Sequence, residues 1–337
     1  MDAETAAQVF CWAAFLHCHS LSATGVQWHE PELLGEFVNR FFRNVRLYRI
    51  FSQWPSSEEA LSGVLENAAF KPCGAYSERS GGFEPPVNGA GDLLARRVSG
   101  ADLLQLRIQT RVLPPAAVQE ALAVRIDAFK QRTQTEPNRS EKRDLKDEVY
   151  SELLPQALLR SDRLQAVMLP ADGILVVGSA SESAADYFMD ALKRAMVSFQ
   201  YAPVAFKTPA DELMKRLFMG SSSERFRMGR ECRMRDPSDT RASVNWLDFD
   251  LGDSSIRRHV TDGLKVDRLG LIFDQVCGLV IDQDLVLRKV RLLGQDGMDQ
   301  VPDEDPLAKH DAEFVIMAGA FKSLVDALSA ELGGFVS

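Results

Sequence analysis

The amino-acid sequence predicts an α+β protein with mixed, mainly antiparallel sheets, flanking helices and a helical arm. Three observations carry that expectation. Apolar strand-like runs come in pairs joined by short turns, as in "ARRVSGADLLQL" and "AVMLPADGILVV". Helical stretches fall between such pairs instead of alternating with single strands, which argues against a doubly wound parallel sheet. Two helical stretches follow one another directly around "QTEPNRS", the signature of an antiparallel helix pair.

The elements follow in order from about Phe41. "FRNVRLYRIF" alternates apolar and basic residues and reads as a strand. "PSSEEALSGVLENAAF" reads as a helix with Ser57 as its N-cap. "KPCG" and "GGFEPPVNGAG" are turn-rich. "LLARRVSGADLLQLRIQTRVLP" reads as a hairpin turning at Ser99-Gly100. "PAAVQEALAVRIDAFKQR" is a helix with Pro115 in its first turn. "SEKRDLKDEVYSELLPQALLR", residues 140–160, reads as a charged helix capped by Ser140 that kinks at Pro155 just where it becomes apolar. A second hairpin turns at Ala171-Asp172-Gly173, followed by the amphipathic helix "SESAADYFMDALKRAMVSF". A strand "YAPVAF" and a helix "TPADELMKRLFMG" come next. An Arg-rich segment then leads to "SVNWLDFDL", the short helix "DSSIRRHVTDG", and strands at "KVDRLGLIFDQ", "CGLVIDQ" and "VLRKVRLL". "AEFVIMAGAFKSLVDALSAELGG" reads as a strand running into a terminal helix.

The first 37 residues differ from the rest. They hold five acids, no Lys or Arg, three of the five histidines, two of the five cysteines and two of the four tryptophans. Asp2 and Glu4 replace the basic start of a signal peptide. Cys11, His17, Cys18 and His19 lack the paired spacing of a zinc site. The segment therefore reads as a disordered or mis-started extension, with Val38 a plausible start. The remaining organisation is 38–114, an N-terminal α+β part; 115–160, the helical arm; 161–240, a central α+β part; and 241–337, a C-terminal α+β part.

The chain has 39 Lys and Arg against 48 Asp and Glu, a net charge of −9. Taken whole, that opposes nucleic-acid binding, but binding responds to the local patch. Residues 214–241 carry eight Lys or Arg and four acids. This run is either a solvated loop or part of a basic surface. Further cations are Arg257 and Arg258 on the short helix, Lys265 and Arg268 on the next strand, and Arg288, Lys289 and Arg291 on a later one. Acids concentrate in "DGMDQVPDEDP" at 296–306. No window approaches the about 18 apolar residues of a membrane span, and few scattered cysteines fit a reducing cytoplasm.

No catalytic pattern emerges. The sequence has no GxSxG elbow and no GxxxxGK[ST] loop. His259 and His310 have no evident Cys or Ser partner, Asp248 and Asp250 read as solvated acids as readily as a metal pair, and Cys73 reads as a small buried side chain. No metal or other cofactor is expected. No zinc finger, homeodomain or helix-turn-helix pattern supports base-specific readout.

The segments "FFRNVRLYRI", "AAFKPCG", "GFEPP", "EKRDLKDEVYSELLPQAL", "VDRLGLIF" and "AEFVIMAGAFKSLVDALSAELGG" resemble, in order, the recombination-associated protein RdgC family. The likeness runs from about Phe41 to Gly334. It implies a horseshoe-like subunit closing into a ring-shaped homodimer around duplex DNA. The implied protein is a non-enzymatic, cytoplasmic, nucleoid-associated one whose sequence-independent binding limits access of the RecA recombinase. It also implies a subunit contact at Leu154, Pro155 and Leu158, although Leu158 could equally pack in its own core. The expected DNA-binding residues are Arg257, Arg258, Lys265, Arg268, Arg230, Arg233, Arg235 and Lys289. Asp248 stands where the family usually shows a basic residue before "DL", and Lys265 lies one place later than the family's usual lysine. The other class of function is an enzyme or small-molecule-binding protein with a site in the 71–86 turn region.

Overall fold

A computed structural model of the chain describes residues 42–87, 89, 91–239, 241–293 and 305–336. The readings made for residues 1–37, for Phe41 and for the acidic run 296–304 lie outside these residues. The described chain is α+β, and its twelve strands form one connected antiparallel sheet.

In the first half, β1 (Asn44–Ile50) pairs with β6 (Ile174–Val177) and β7 (Tyr201–Pro203). β4 (Ala101–Val112) carries β2 (Arg79–Glu84) and β3 (Ala95–Val98) on one side and β5 (Leu158–Leu169) on the other. β5 closes onto β6. The parts at 38–114 and 161–203 thus share one sheet. In the second half the order is β12 (Leu287–Leu292), β11 (Cys277–Asp282), β10 (Lys265–Phe273), β8 (Phe226–Arg235) and β9 (Ser243–Leu247). The halves meet where β1 pairs with β12, Asn44 opposite Arg288 and Val45 opposite Leu287.

Two apolar clusters hold these layers. α1 (Glu58–Leu65) and α4 (Glu182–Ala195) cover one face of the first half, burying Leu61, Leu65, Phe188 and Leu192 against Leu104, Leu106 and Leu175. The other cluster spans both halves. It joins Val45, Leu47, Val167 and Val176 to Leu269, Ile281 and Leu287 beneath α5 (Ala210–Phe218) and α7 (Pro306–Glu331). α6 (Ser254–Thr261) adds Ile256 to the same core.

Local chemistry accounts for the ends of these elements. The Ser57 and Ser181 hydroxyls accept from the Ala60 and Ala184 amides, capping α1 and α4. Ser99 and Gly100 both have positive φ, 50° and 83°, as the tight turn between β3 and β4 requires.

Four expectations are corrected. First, β2 occupies part of the segment read as turn-rich. Its Gly81 and Gly82 answer close packing on both faces: a Cβ on Gly81 would lie 2.5 Å from the Tyr187 ring, and one on Gly82 would lie 2.5 Å from the Ala69 carbonyl. Such glycines in a strand mark where other groups approach its backbone. Gly82→Ala is expected to cost about 3 kcal/mol, the upper range for overpacking against groups that cannot move aside. Denaturation midpoints and loss of amide protection along β2 would check it.

Second, residues 140–160 are not one bent helix. The arm consists of α2 (Pro115–Thr133) and α3 (Arg139–Leu153), and Asn138, not Ser140, caps α3. The Asn138 side chain accepts from the Ser140 and Glu141 amides while Glu141 accepts from the Asn138 amide, because Glu141 stands three residues beyond Asn138 and completes a capping box. Pro155 tightens Leu154–Gln156 into a 3-10 turn, and Leu158 then opens β5 opposite Val112. Leu154 and Leu158 therefore do not share a helical stripe.

Third, the segment read as a strand entering the last helix is itself helical. Asp305 caps α7 and Pro306 stands at its first position. Phe314, Met317, Ala318, Phe321, Leu324, Val325 and Leu328 recur at helical spacing and are buried, so burial overrides the local β preference of "FVIM". Fourth, the Arg-rich run is not a loop but contains β8, whose Cys232 and Met234 face the core.

Candidate nucleic-acid interface

Alternation in β8 decides where its arginines go. With Cys232 and Met234 in the core, Arg233 and Arg235 take the other face of the sheet. The same alternation puts Asp282 of β11 and Arg288 of β12 on that face, since Ile281 and Leu287 are core residues. In β10 a register shift between Val266 and Arg268 sets Arg268 opposite Arg233 on β8, and on its other side Arg268 faces Asp282. Such an irregularity is a β-bulge, which re-aims side chains. The result is a row across the sheet: Arg288, Asp282, Arg268, Arg233 and then Asn245 on β9.

Two buried carboxylates hold this row. Asp267 accepts from Arg233 and, at 3.3 Å, from Arg235. Asp282 accepts from the Val286 amide at 2.9 Å and from Arg288 at 3.1 Å. At the margins, Lys289 reaches Glu231 at 2.6 Å and Arg230 reaches Asp248 at 2.6 Å. Six cations thus meet four carboxylates. Arg268 is the one left over in this group, as its guanidinium forms no ion pair with a described carboxylate and its buried Nε has no hydrogen-bond partner. Burial, and after it the Arg233 and Arg288 charges, pull its pKa below the ordinary arginine value. Arginine still keeps its proton at neutral pH. The row therefore presents uncompensated, half-buried positive charge, with planar donors suited to phosphate oxygens.

A family model described as "Putative exonuclease, RdgC" matches residues 40–335. The chain belongs to the RdgC family. Similar relatives are each called "Recombination-associated protein RdgC" and come from Shewanella oneidensis, Shewanella baltica strain OS223 and Shewanella sp. strain ANA-3. Each is 28% identical over 297 residues, covering 87% of this chain and 98% of the relative. The RdgC match takes in every strand and helix described above, so both halves of the sheet and the arm lie within the family region.

The structure brings together Arg233, Arg235, Arg268 and Lys289 of the residues expected to bind DNA, and adds Arg288, whereas Arg230 is paired with Asp248 just beyond β9. It does not bring Arg257 and Arg258 to them. Those two lie on α6, which packs on the core side of the sheet through Ile256 and through His259 against the Trp246 ring, 5.3 Å between centroids. Arg258 is paired there with Asp262 at 3.7 Å. Lys265 is exposed at the start of β10 and borders a cavity of about 620 Å³ with Lys215, Met219, Val260 and Leu264. The carboxylates Asp267 and Asp282, which organise the row, were not singled out from sequence. Their signal was available only as acids adjacent to arginines on alternating strands.

Of the three residues expected at a subunit contact, Leu154 is buried within its own chain, Pro155 lies in the 3-10 turn, and Leu158 is 81% exposed. Arg111 fixes this region, donating to the carbonyls of Leu154, Pro155 and Ala157 at 3.2–3.3 Å and of Gly74 at 3.1 Å. In the 71–86 region, the Cys73 amide donates to Gln109 and its buried thiol to the Ser77 carbonyl, so that loop is tied to the sheet. Cys232 and Cys277 are buried, which pushes each thiol up to about 12. Among the described residues no group of three or more His, Cys, Asp or Glu side chains is placed to hold a metal ion, and no helix is long and apolar enough to cross a membrane.

Proposed function

We propose that the chain is a non-catalytic protein that binds double-stranded DNA without sequence preference through the arginine row. In this reading it acts in the cytoplasm at the nucleoid, as a ring-shaped homodimer of horseshoe-like subunits around DNA. It modulates recombination and replication by limiting RecA access. The observation that carries the reading is Arg268, an unpaired guanidinium held beside Arg233 and Arg288 in a chain whose net charge is −9. A half-buried cation with like-charged neighbours costs stability, and perturbed groups of that kind concentrate at functional sites. The recombination-associated names of the relatives agree with DNA as the partner.

The test is binding of the full chain to unrelated duplexes over a salt series. Log affinity is expected to fall linearly with log salt, by about 0.9 for each phosphate neutralised, and equally on every sequence. Salt-independent or absent binding would overturn the reading. The family description mentions an exonuclease, so the same duplexes, end-labelled and incubated with Mg²⁺ or Mn²⁺, should remain full length.

The homodimer has its own expected result. Leu158 stands exposed on β5 beside exposed Leu159, opposite exposed Val112. Burying one leucine contributes roughly 1.5–3 kcal/mol. Leu158→Asp should therefore weaken self-association in sedimentation while circular dichroism stays native. An unchanged dimer would place the contact elsewhere.

A further inference from the structure

We infer that Leu247 and Phe249 form an apolar wedge that contacts nucleobases beside the arginine row. The inference rests on the DNA-binding reading above and extends it from phosphates to bases. β9 is the last strand of the sheet. Its residues Ser243, Asn245 and Leu247 pair with Arg235, Arg233 and Glu231 of β8, so all three lie on the face that carries the row. Leu247 is 66% exposed and Phe249 is 50% exposed. Single exposed apolar residues are ordinary on a protein surface. These two differ because the backbone between them is held in a costly shape.

Asp248, between them, has φ of 53°, the left-handed region that a residue with a Cβ rarely adopts. Arg230 holds it there. Its Nε donates to the Asp248 carboxylate at 2.6 Å, its Nη2 donates to the Asp248 carbonyl at 3.1 Å, and its own carbonyl accepts from the Phe249 amide at 3.1 Å. Backbone strain persists where surrounding bonds over-determine it, and such spots gather at binding sites. Here the strain turns the chain sharply after Leu247 and leaves both apolar side chains outside the core.

Charge selects the occupant. The wedge is bordered by two ion pairs, Arg230 with Asp248 and Glu231 with Lys289, and further along the same face, past Asn245, lies the row with its unpaired Arg268. A partner that offers anionic groups to the row and flat apolar surface next to them is a nucleic acid, with phosphates outside and base faces within. Proteins that bind DNA largely through its backbone commonly press apolar side chains between base steps, and aromatic stacking tolerates any base.

The test uses the full-length chain with a duplex containing 2-aminopurine, a matching single strand, and a salt series. The parent is expected to raise 2-aminopurine fluorescence on binding, because the probe brightens as it unstacks. Phe249→Ser, and Leu247→Ser combined with it, should bind about tenfold or more weakly at every salt concentration, leave the salt slope unchanged, and lose the fluorescence rise. Phe249→Trp should retain both. A rise on duplex alone assigns insertion between paired steps, and a tighter effect on the single strand assigns stacking on open bases; either supports base contact. Unchanged affinity and fluorescence in the double variant would overturn the inference while leaving the phosphate reading intact. So would loss of binding accompanied by loss of the dimer in sedimentation, which would make β9 a subunit edge. A parent that shows no salt-dependent binding would instead defeat the DNA reading itself.

Discussion

Arg268→Met is expected to weaken DNA binding without lowering the stability of the fold. The sign follows from the direction of its pKa. A cation whose folded pKa lies below its unfolded value is disfavoured by folding, and that cost is fully present wherever the group is protonated in both states. For arginine this includes all physiological pH. Burial and the adjacent Arg233 and Arg288 supply the cost, so removing the charge relieves it. Methionine keeps much of the stem's length and packing. The thermal midpoint should be unchanged or raised. The affinity for duplex DNA should fall, and the log–log salt slope should become shallower by about one unit if the guanidinium meets one phosphate. A variant that binds like the parent, with the parent's slope, would remove Arg268 from the interface.

Asp267→Asn should do the opposite on both counts. Asp267 is buried and serves both Arg233 and Arg235. Neutralising it leaves those guanidiniums beside Arg268 with no anion between them. Removing one partner of a buried pair typically costs about 3–5 kcal/mol. The arginine side chains are 23% and 34% exposed, and solvent lowers that figure to about 2–3 kcal/mol here. The denaturation midpoint should drop accordingly. The face gains net positive charge, so affinity for DNA at low salt should rise and the salt slope steepen. Added duplex should then raise the midpoint more in the variant than in the parent, because a ligand that binds only the folded state stabilises it in proportion to its affinity. A less stable variant that binds DNA more weakly would mean that Asp267 positions the arginines and that their arrangement matters more than their charge.

The contrast between these two residues explains what sequence could and could not convey. The Ser99-Gly100 turn, the Ala171-Asp172-Gly173 turn and the cap at Ser57 were legible because each rests on residues a few places apart. α7 was misread because "FVIM" prefers strand locally and only its burial against distant strands makes it helical. Gly81 and Gly82 looked like a turn because the Tyr187 ring and the Ala69 carbonyl that crowd them are far away in sequence. The arginine row was half visible. Arg233 and Arg235 are separated by one residue, and alternation alone puts them on one face. That Arg268 stands opposite Arg233 depends on a register and a bulge between strands more than thirty residues apart. Arg257 and Arg258 were grouped with Lys265 and Arg268 by sequence proximity, yet the turn after α6 carries the chain from the core side of the sheet into β10.

The meeting of the two halves has a consequence for how this protein could be divided or built. The ladder between β1 and β12 has two residue pairs, which by itself would suggest two modules stitched at an edge. The apolar cluster beneath it argues otherwise. Val45, Leu47 and Val167 from one side and Leu269, Ile281 and Leu287 from the other lie in a single cluster with Phe314, Phe321 and Leu328 of the terminal helix. Cutting the chain between α5 and β8 would strand that helix on the wrong polypeptide and bare the underside of both halves of the sheet. Neither half has the means to be an heirloom passed on alone. Gene fusion, recombination between relatives or fragment complementation would succeed only when both pieces arrive together, and a shuffled variant inheriting its halves from different parents must match along that shared seam before any of its surface chemistry matters.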